Sequence, residues 1–216
     1  MKAITISIIS LLISLTAFSQ THLYENPEFN NIAKKHKIIG IIPFKASVTL
    51  RPKHMKDITP EQLDRMEKAE GGAMQSGMYS WFLKRKKRGA LSVDVQDPAT
   101  SNAKLRKAGV TFENYEEFTP MELAKILEVD AIIMGTFKTN KPMSEGASAT
   151  LGLLVGFYGN TNDAVVNLFI YNAEDGSLLV NYNKAISGSI GSSTEDLVNI
   201  LMRKASRRIA YTKGDY

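Results

Sequence analysis

Cysteine is absent from the 216-residue chain, and histidine and tryptophan are scarce, with three and one residues respectively. Without cysteine there is no disulfide, no thiol nucleophile and no thiolate metal ligand. His22, His36 and His54 all lie in the first quarter of the chain, and none has a partner at the spacing of a helical or Cys-X-X-Cys metal site. The chain therefore offers no thiol chemistry and no metal-ligand pattern.

Motifs for nucleotide or acyl chemistry are missing as well. Gly152, Gly156 and Gly159 match neither the G-x-G-x-x-G pattern nor the Walker pattern. The sequence GSIG at 188–191 resembles the G-x-S-x-G nucleophile elbow only by chance. Asp130 at a strand start and Asp175 in a turn are better explained by local structure than as an acid/base pair. We therefore predict that the protein is not an enzyme and has no cofactor and no metal.

The N-terminal segment carries the clearest signal that is present. Met1 and Lys2 precede an apolar stretch from Ile4 to Phe18, and small residues at Ala17 and Ser19 mark a cleavage site before Gln20. This is the pattern of a secretory signal peptide, and it is shorter than the roughly 20 apolar residues of a membrane-spanning helix. An uncleaved anchor is the alternative. Because a bacterial lipoprotein needs a cysteine directly after the cleavage site, we expect an exported protein, periplasmic or extracellular, without a lipid anchor.

Cleavage would remove 19 of the 216 residues and leave 197, enough for one large or two small domains. The mature chain would carry 26 basic and 22 acidic side chains, because only Lys2 is lost. The basic excess is local, at 84–88 and 203–208, where we predict helix C-termini that cations stabilise. Solvated helix ends are the ordinary explanation. An acidic partner, such as lipid headgroups or an envelope polymer, is the alternative, and nucleic acid is not expected.

Apolar patterning in the first two thirds predicts alternating strands and helices. Residues 20–36 are polar and are predicted to be an irregular N-terminal arm. The aliphatic runs 37–44 and 130–137 are typical of strands buried on both faces, and Pro43 should end regular pairing in the first. A short strand is predicted at 91–95. This order favours a sheet with a largely parallel centre.

Two capping boxes predict where long helices begin. Thr59-Pro60-Glu61-Gln62 starts a helix that reaches Gly89 and is interrupted or bent at Gly71-Gly72. Thr119-Pro120-Met121-Glu122 starts the helix before the second buried strand. Another short helix is predicted at 102–107. The methionines of the first helix indicate core packing, with a soft binding groove as the alternative.

The last third has a different pattern. Alternating runs at 164–171 and 177–186 flank the turn residues Asp175-Gly176, which predicts a hairpin. A final amphipathic helix should follow a cap at Ser193 or Thr194. The prediction is an α/β fold in a single domain, with a mixed sheet, flanking helices, a C-terminal antiparallel hairpin and a final amphipathic helix. Its parts are a signal peptide (1–19), an arm (20–36), the domain (37–211) and a tail (212–216).

The glycine-rich run MSEGASATLGLLVGFYGNTND at 143–163 is predicted to form a strand. Its apolar part is too short for a membrane-spanning helix, and three glycines would cost a helix about 1 kcal/mol each. The strand would begin a hairpin over 147–171, and its apolar positions form a candidate interface: Leu151, Leu153, Val155, Phe157 and Tyr158. Core, interface and membrane insertion all remain open, since roughly 10 residues also suffice for a membrane strand.

Four stretches occur in a recognisable order: IIGIIPF at 38–44, SVDVQDPATSNAKLRKAGV at 92–110, LAKILEVDAIIMGTF at 123–137 and NLFIYNAEDGSLLVNY at 167–182. Their order resembles the fold shared by the curli-secretion channel subunit, the N-terminal domain of the Tol-system propeller protein and the lipoprotein activators of penicillin-binding proteins. The middle and C-terminal stretches also resemble uncharacterised secreted proteins of Bacteroidetes-type bacteria. The resemblance covers about residues 37–211, and it implies a fold and cell-envelope work without catalytic residues.

These features together predict a non-enzymatic exported protein of the cell envelope that acts as a binding or assembly module. A protein partner or self-association is expected. The alternative is a subunit of an outer-membrane secretion or pore assembly that inserts the 147–171 hairpin. Two departures count against that alternative: the chain lacks the lipoprotein cysteine, and it offers one hairpin where the curli channel subunit inserts two.

Overall fold

The computed structural model describes residues 21–56, 58–142, 144–150, 162–188, 194–209 and 211. The strands in these residues are β1 (Thr21–Glu25), β2 (Ile38–Ile41), β3 (Lys45–Val48), β4 (Asp94–Val95), β5 (Ala131–Thr139), β6 (Asn162–Asn172) and β7 (Leu178–Gly188). The helices are α1 (Phe29–Ala33), α2 (Pro52–Met55), α3 (Pro60–Lys87), α4 (Pro98–Lys107), α5 (Pro120–Leu127), α6 (Glu145–Thr150) and α7 (Thr194–Arg208), with a 3-10 turn at Tyr115–Glu117. The predicted α/β order is confirmed.

The strands form one mixed sheet in the order β1-β7-β6-β5-β2-β4, and β3 pairs with β5 further along the edge that β2 occupies. β2 runs parallel to β4 and β5, and β3 runs parallel to β5. β5, β6, β7 and β1 form an antiparallel meander. The predicted parallel centre with an antiparallel side is therefore confirmed.

Helices cover the sheet on both faces. The larger core lies between the sheet and helices α3 and α7, and a smaller core lies under α4 and α5. Met66, Met74 and Met78 of α3 are fully buried, which confirms that these methionines are core residues. Both capping boxes are present, with the Thr59 and Thr119 hydroxyls accepting from the amides of Gln62 and Glu122.

Pro43 ends β2, as predicted, and the chain resumes pairing with β5 at β3. The Phe44 ring fills the break between β2 and β3. It lies so close to Gly135 that a Cβ there would be only 2.3 Å from it. The Phe44 amide donates to the carbonyl of Gly71 in α3 at 3.2 Å. Of the interruption or bend predicted at Gly71-Gly72, the interruption is wrong, since α3 is continuous there. Gly71 instead allows α3 to contact the backbone of Phe44 between β2 and β3.

The predicted irregular arm is also wrong, since it contains β1 and α1. β1 pairs antiparallel with β7, from Thr21 opposite Lys184 to Glu25 opposite Val180. As an edge strand it leaves its side chains largely exposed, so its sequence lacks the apolar alternation of a half-buried strand. α1 is anchored by Phe29, which is buried with its ring 5.1 Å from that of Tyr211.

The hairpin at Asp175-Gly176 is confirmed. Gly176 has a positive φ of 70°, and the Asp175 carboxylate accepts from the Ser177 amide at 2.9 Å and the Asn172 side chain at 2.8 Å. These contacts place the acid in the turn itself. The structural interpretation of Asp175 is therefore correct.

The strand predicted to begin at residue 147 is not observed, because 145–150 form α6. The Ser144 hydroxyl accepts from the Ala147 amide at 3.1 Å and so caps the N-terminus of α6. At the other end of the predicted hairpin, β6 is a central strand paired with both β5 and β7. The strand predicted at 164–171 is therefore confirmed as part of β6, whereas the first strand of the hairpin predicted over 147–171 is wrong in its described part, 147–150.

Candidate functional site

The predicted interface residues lie outside the described residues: Leu151, Leu153, Val155, Phe157 and Tyr158. The residues that flank them are the end of α6 and the start of β6. The site with the most distinctive geometry is elsewhere, in a cleft at the carboxyl end of β2.

The cleft has a volume of about 300 Å³ and lies between α3, α4 and the segment 110–115. β2 ends at Ile41, so Ile42 and Pro43 form the back of the cleft. The carboxyl ends of parallel strands are where open α/β sheets commonly bind ligands. At the lower limit of ligand-site volumes, the cleft admits one bulky apolar side chain or a small ring system.

The floor of the cleft is apolar. It consists of Ile42, Leu105, Val110, Phe112 and Tyr115. The Phe112 and Tyr115 rings pack edge to face with centroids 6.3 Å apart. Burial, followed by the nearby Glu116 carboxylate, raises the pKa of Tyr115. Its phenol is therefore protonated at neutral pH and serves as a hydrophobic wall.

Charged pairs line the rim next to the aromatic rings. The Lys68 ammonium bonds to Asp64 at 2.9 Å and also to Glu113. The bond from Lys68, together with bonds from Thr111 and the backbone, lowers the pKa of Glu113 to about 2, and the two carboxylates raise the pKa of Lys68. The Lys45 ammonium lies 3.2 Å from Glu116 and within 6 Å of the Phe112 and Tyr115 ring centroids. The two lysine charges are thus offset by three carboxylates of this chain.

Arg106 differs from these two cations. It is exposed on the rim, at the C-terminal half of α4, and no carboxylate in the described part of the chain pairs with its guanidinium. Beside it, Asn102 exchanges two hydrogen bonds with buried Gln75, at 3.0 and 3.1 Å. Gln75 also donates to the Ile41 carbonyl at 2.7 Å, which joins α3 and α4 to the end of β2. The hydrogen-bonded side chains of Gln75 and Asn102 thus join the walls of the cleft, and Arg106 places a positive charge at the mouth of the cleft.

A second cavity, of about 630 Å³, lies at the other end of the parallel strands, beside the start of β5 and the end of β6. Its main polar groups bond within the fold. Asp130 accepts from the amides of Lys37 and Ile38 at 2.6 and 2.9 Å, which confirms a structural role. His36 contacts the Tyr211 hydroxyl at 2.6 Å and the Asn172 side-chain oxygen at 3.1 Å. These residues connect the chain ends to the β6–β7 turn.

The histidines His22 and His36 do not form a common site in the described residues. His22 lies on β1 and His36 lies in the second cavity, so the two are on separate elements. No cluster of three or more histidine or acidic side chains suited to a metal ion occurs within the described ranges. None of the described helices is both long and apolar enough to cross a membrane.

Sequence reasoning missed the cleft, because its lining comes from three separated segments. A local signal was present at Phe112 and Tyr115, two aromatic residues in a polar stretch between α4 and α5. Phe112 remains half-buried and Tyr115 lies under Lys45. Aromatic residues in a loop are a useful pointer to a binding surface.

No family model matches the chain, and no curated protein matches it. Solved structures with similar folds include a PelC dodecamer from Paraburkholderia phytofirmans, at 12% identity and a TM-score of 0.45, covering 88% of this chain and 99% of that one. Lipoprotein GNA1162 from Neisseria meningitidis is similar at 14% identity and a TM-score of 0.47, covering 82% and 99%. The LpoB C-terminal domain from Salmonella enterica has 6% identity and a TM-score of 0.33, covering 74% and 93%. Such distant likenesses assign neither a family nor a function.

Proposed function

We propose that the protein is a non-catalytic binding module of the cell envelope, in which the cleft receives an apolar side chain of a partner protein next to a carboxylate. The observation that carries this proposal is the combination of an apolar floor with Arg106 at the mouth. A buried apolar anchor contributes about 1.5–3 kcal/mol, and a carboxylate beside it would pair with the guanidinium.

An acidic partner is favoured locally at Arg106, because the rim as a whole carries three cations and three carboxylates. Lys68 and Lys45 are already neutralised by Asp64, Glu113 and Glu116, so they add little attraction. Arg106 is the rim cation that a partner carboxylate can pair with most directly, because its planar fork binds a carboxylate through two hydrogen bonds. The expected partner segment is thus a short peptide with one large apolar residue and an adjacent acidic residue.

Export is the second part of the proposal, and it rests on the N-terminal sequence. Cleavage before Gln20 would release a chain that begins one residue before β1. The absence of cysteine supports a protein without a lipid anchor. Mass spectrometry of the exported protein should show a chain that starts at Gln20.

Photo-crosslinking in intact exporting cells tests the cleft as a partner site. A photoreactive phenylalanine analogue replaces Thr111, which is exposed on the rim, and the matched control replaces Thr49, which is exposed on another surface. We expect a discrete protein adduct from position 111 that Arg106→Ala weakens. Adducts of equal yield from both positions, or adducts unaffected by Arg106→Ala, would contradict the proposal.

The apolar run at 151–158 remains a second proposed interface, for self-association or partner contact. Leu151, Leu153, Val155 and Phe157 would be costly to leave in water, at about 1.5–3 kcal/mol for each buried side chain. Leu153→Asp should leave a folded protein with a near-native melting temperature that elutes as a smaller species on size exclusion. An unchanged oligomeric state together with unchanged partner binding would refute this interface.

The alternative function is a secretion or pore subunit that inserts residues 147–171. The described residues do not support it. α6 packs near α3, where Ala69 lies 3.5 Å from the Cβ position of Gly146, and β6 lies inside the sheet. We therefore retain the binding module as the proposed function.

A further inference from the structure

Two basic clusters that are far apart in sequence converge at one end of the molecule. The first ends α3, at Lys84–Arg88, and the second ends α7, at Arg203, Lys204, Arg207 and Arg208. Near the middle of α3, a Cβ on Gly77 would lie 3.1 Å from Met202. Further along, the Arg85 side chain donates to the Ser206 hydroxyl at 3.5 Å. The two helices therefore pack in parallel, with both C-termini at the same end.

This basic end, defined as 84–88 together with 203–208, carries far more charge than helix capping requires. Each helix C-terminus is equivalent to roughly −0.5 charge, so two ends account for about one of the nine cations. Two more are engaged within the fold: Lys86 pairs with Asp94, and Arg85 bonds to Ser206. Lys84, Lys87, Arg88, Lys204 and Arg207 are exposed. A large positive surface therefore remains after the local partners are counted.

Apolar and aromatic groups lie within the same surface. Leu83 is 42% exposed, although it is a large apolar residue. Trp81, the one tryptophan of the chain, is half-buried with the Lys84 ammonium 4.2 Å from its ring centroid. Its buried indole nitrogen has no hydrogen-bond partner in the described part of the chain. Tryptophan, exposed leucine and surrounding lysines are the residue types that favour the boundary between lipid headgroups and water.

We propose that the basic end docks on a bilayer surface that contains anionic phospholipid. Each lysine or arginine near such a surface contributes enough to raise binding about fivefold, and a combination of charge with an inserted apolar side chain is the usual requirement for stable peripheral attachment. A soluble phosphate polymer would satisfy the cations but not Leu83, which favours the lipid surface. The inference does not depend on the cleft, which lies against the N-terminal half of α3.

Vesicle co-sedimentation of the exported, processed protein tests the proposal. We expect binding to vesicles of phosphatidylcholine with phosphatidylglycerol, little binding to phosphatidylcholine alone, and a steep decrease as salt rises. Lys84→Gln with Lys87→Gln should weaken binding about tenfold or more, and so should Lys204→Gln with Arg207→Gln, because the surface needs both helices. The matched control, Arg51→Gln with Lys56→Gln, removes the same charge from exposed positions that follow β3, at the opposite end of the parallel strands, and should change binding less than twofold.

The fluorescence of Trp81 provides an independent test of the proposal. Because Trp81 is the one tryptophan of the chain, its emission reports on this surface alone. Brominated phosphatidylglycerol should quench it, and Leu83→Ser should reduce the quenching while circular dichroism shows an unchanged fold. Equal binding to neutral vesicles, an equal loss in the Arg51/Lys56 control, or binding to sodium polyphosphate without binding to vesicles would overturn the proposal.

Discussion

Adjacent glycines in α3 have opposite structural requirements. A Cβ on Gly71 would lie 2.2 Å from the Phe44 carbonyl oxygen, whereas a Cβ on Gly72 would meet nothing within 4 Å. Gly71→Ala should therefore lower the free energy of unfolding by about 2 kcal/mol or more, because backbone must move. Gly72→Ala should raise it by about 0.5–1 kcal/mol, because alanine favours the helix. Urea unfolding of both variants would test this, and equal effects would contradict the close contact between α3 and Phe44.

Glu113 and Lys68 form the ion pair on the cleft rim, and their titration tests its geometry. The pKa of Glu113 is about 2 against an ordinary value of 4.5, so the stability from the pair is complete above 4.5 and is lost as pH falls toward 2. The raised pKa of Lys68 has the opposite sign, with stability complete below 10.5 and lost as pH rises above it. Carbon-detected NMR should show Glu113 titrating near 2, and Lys68→Met should return it toward 4.5. A Glu113 pKa unaffected by Lys68→Met would show that the pair is not formed.

At the scale of elements, β1 is the strand whose place in the sheet most needs a test. The Asn26 amide donates to the Leu179 carbonyl at 2.8 Å, and antiparallel pairs alternate between bonded and non-bonded. The amide of Tyr24 should therefore point toward β7, and that of Leu23 should point away from it. Tyr24→Pro removes a bond within the sheet and should cost about 1 kcal/mol or more, whereas Leu23→Pro should cost less. Equal thermal stability of the two variants would contradict the pairing of β1 with β7.

Elements with a local chemical signal could be predicted from sequence. The two capping boxes, the Asp175-Gly176 turn and the break at Pro43 each depend on neighbouring residues, and all four are observed. Elements that depend on contacts between residues far apart in sequence could not be predicted. β1 has no apolar alternation because its side chains are exposed, and it is a strand only because β7 lies beside it.

The cleft could not be predicted from the sequence for the same reason. Its floor combines Ile42 after β2, Leu105 in α4 and Tyr115 in the 3-10 turn, and the sequence does not place these segments side by side. The basic end is an intermediate case. Both clusters were predicted at helix C-termini, but only the parallel packing of α3 and α7 places them on one surface.

At the scale of the whole molecule, the cleft and the basic end lie at opposite ends of the parallel strands. α3 connects them, because Gly71 contacts Phe44 beyond the end of β2 and Lys86 pairs with Asp94 at the start of β4. A molecule docked on a membrane by its basic end would therefore hold the cleft away from the lipid. This arrangement fits the proposed binding module, because its cleft would face a partner away from the membrane.

The most direct test of the cleft is an NMR titration with N-acetyl-phenylalanine, which combines one bulky apolar group with one carboxylate. We predict saturable shifts of the methyl signals of Ile42, Leu105 and Val110, with weaker binding of N-acetyl-phenylalanine amide, which lacks the charge. Arg106→Ala should remove the difference between the two compounds while leaving the fold intact. Shifts distributed over the whole surface, or equal binding of acid and amide to the unmodified protein, would contradict the account.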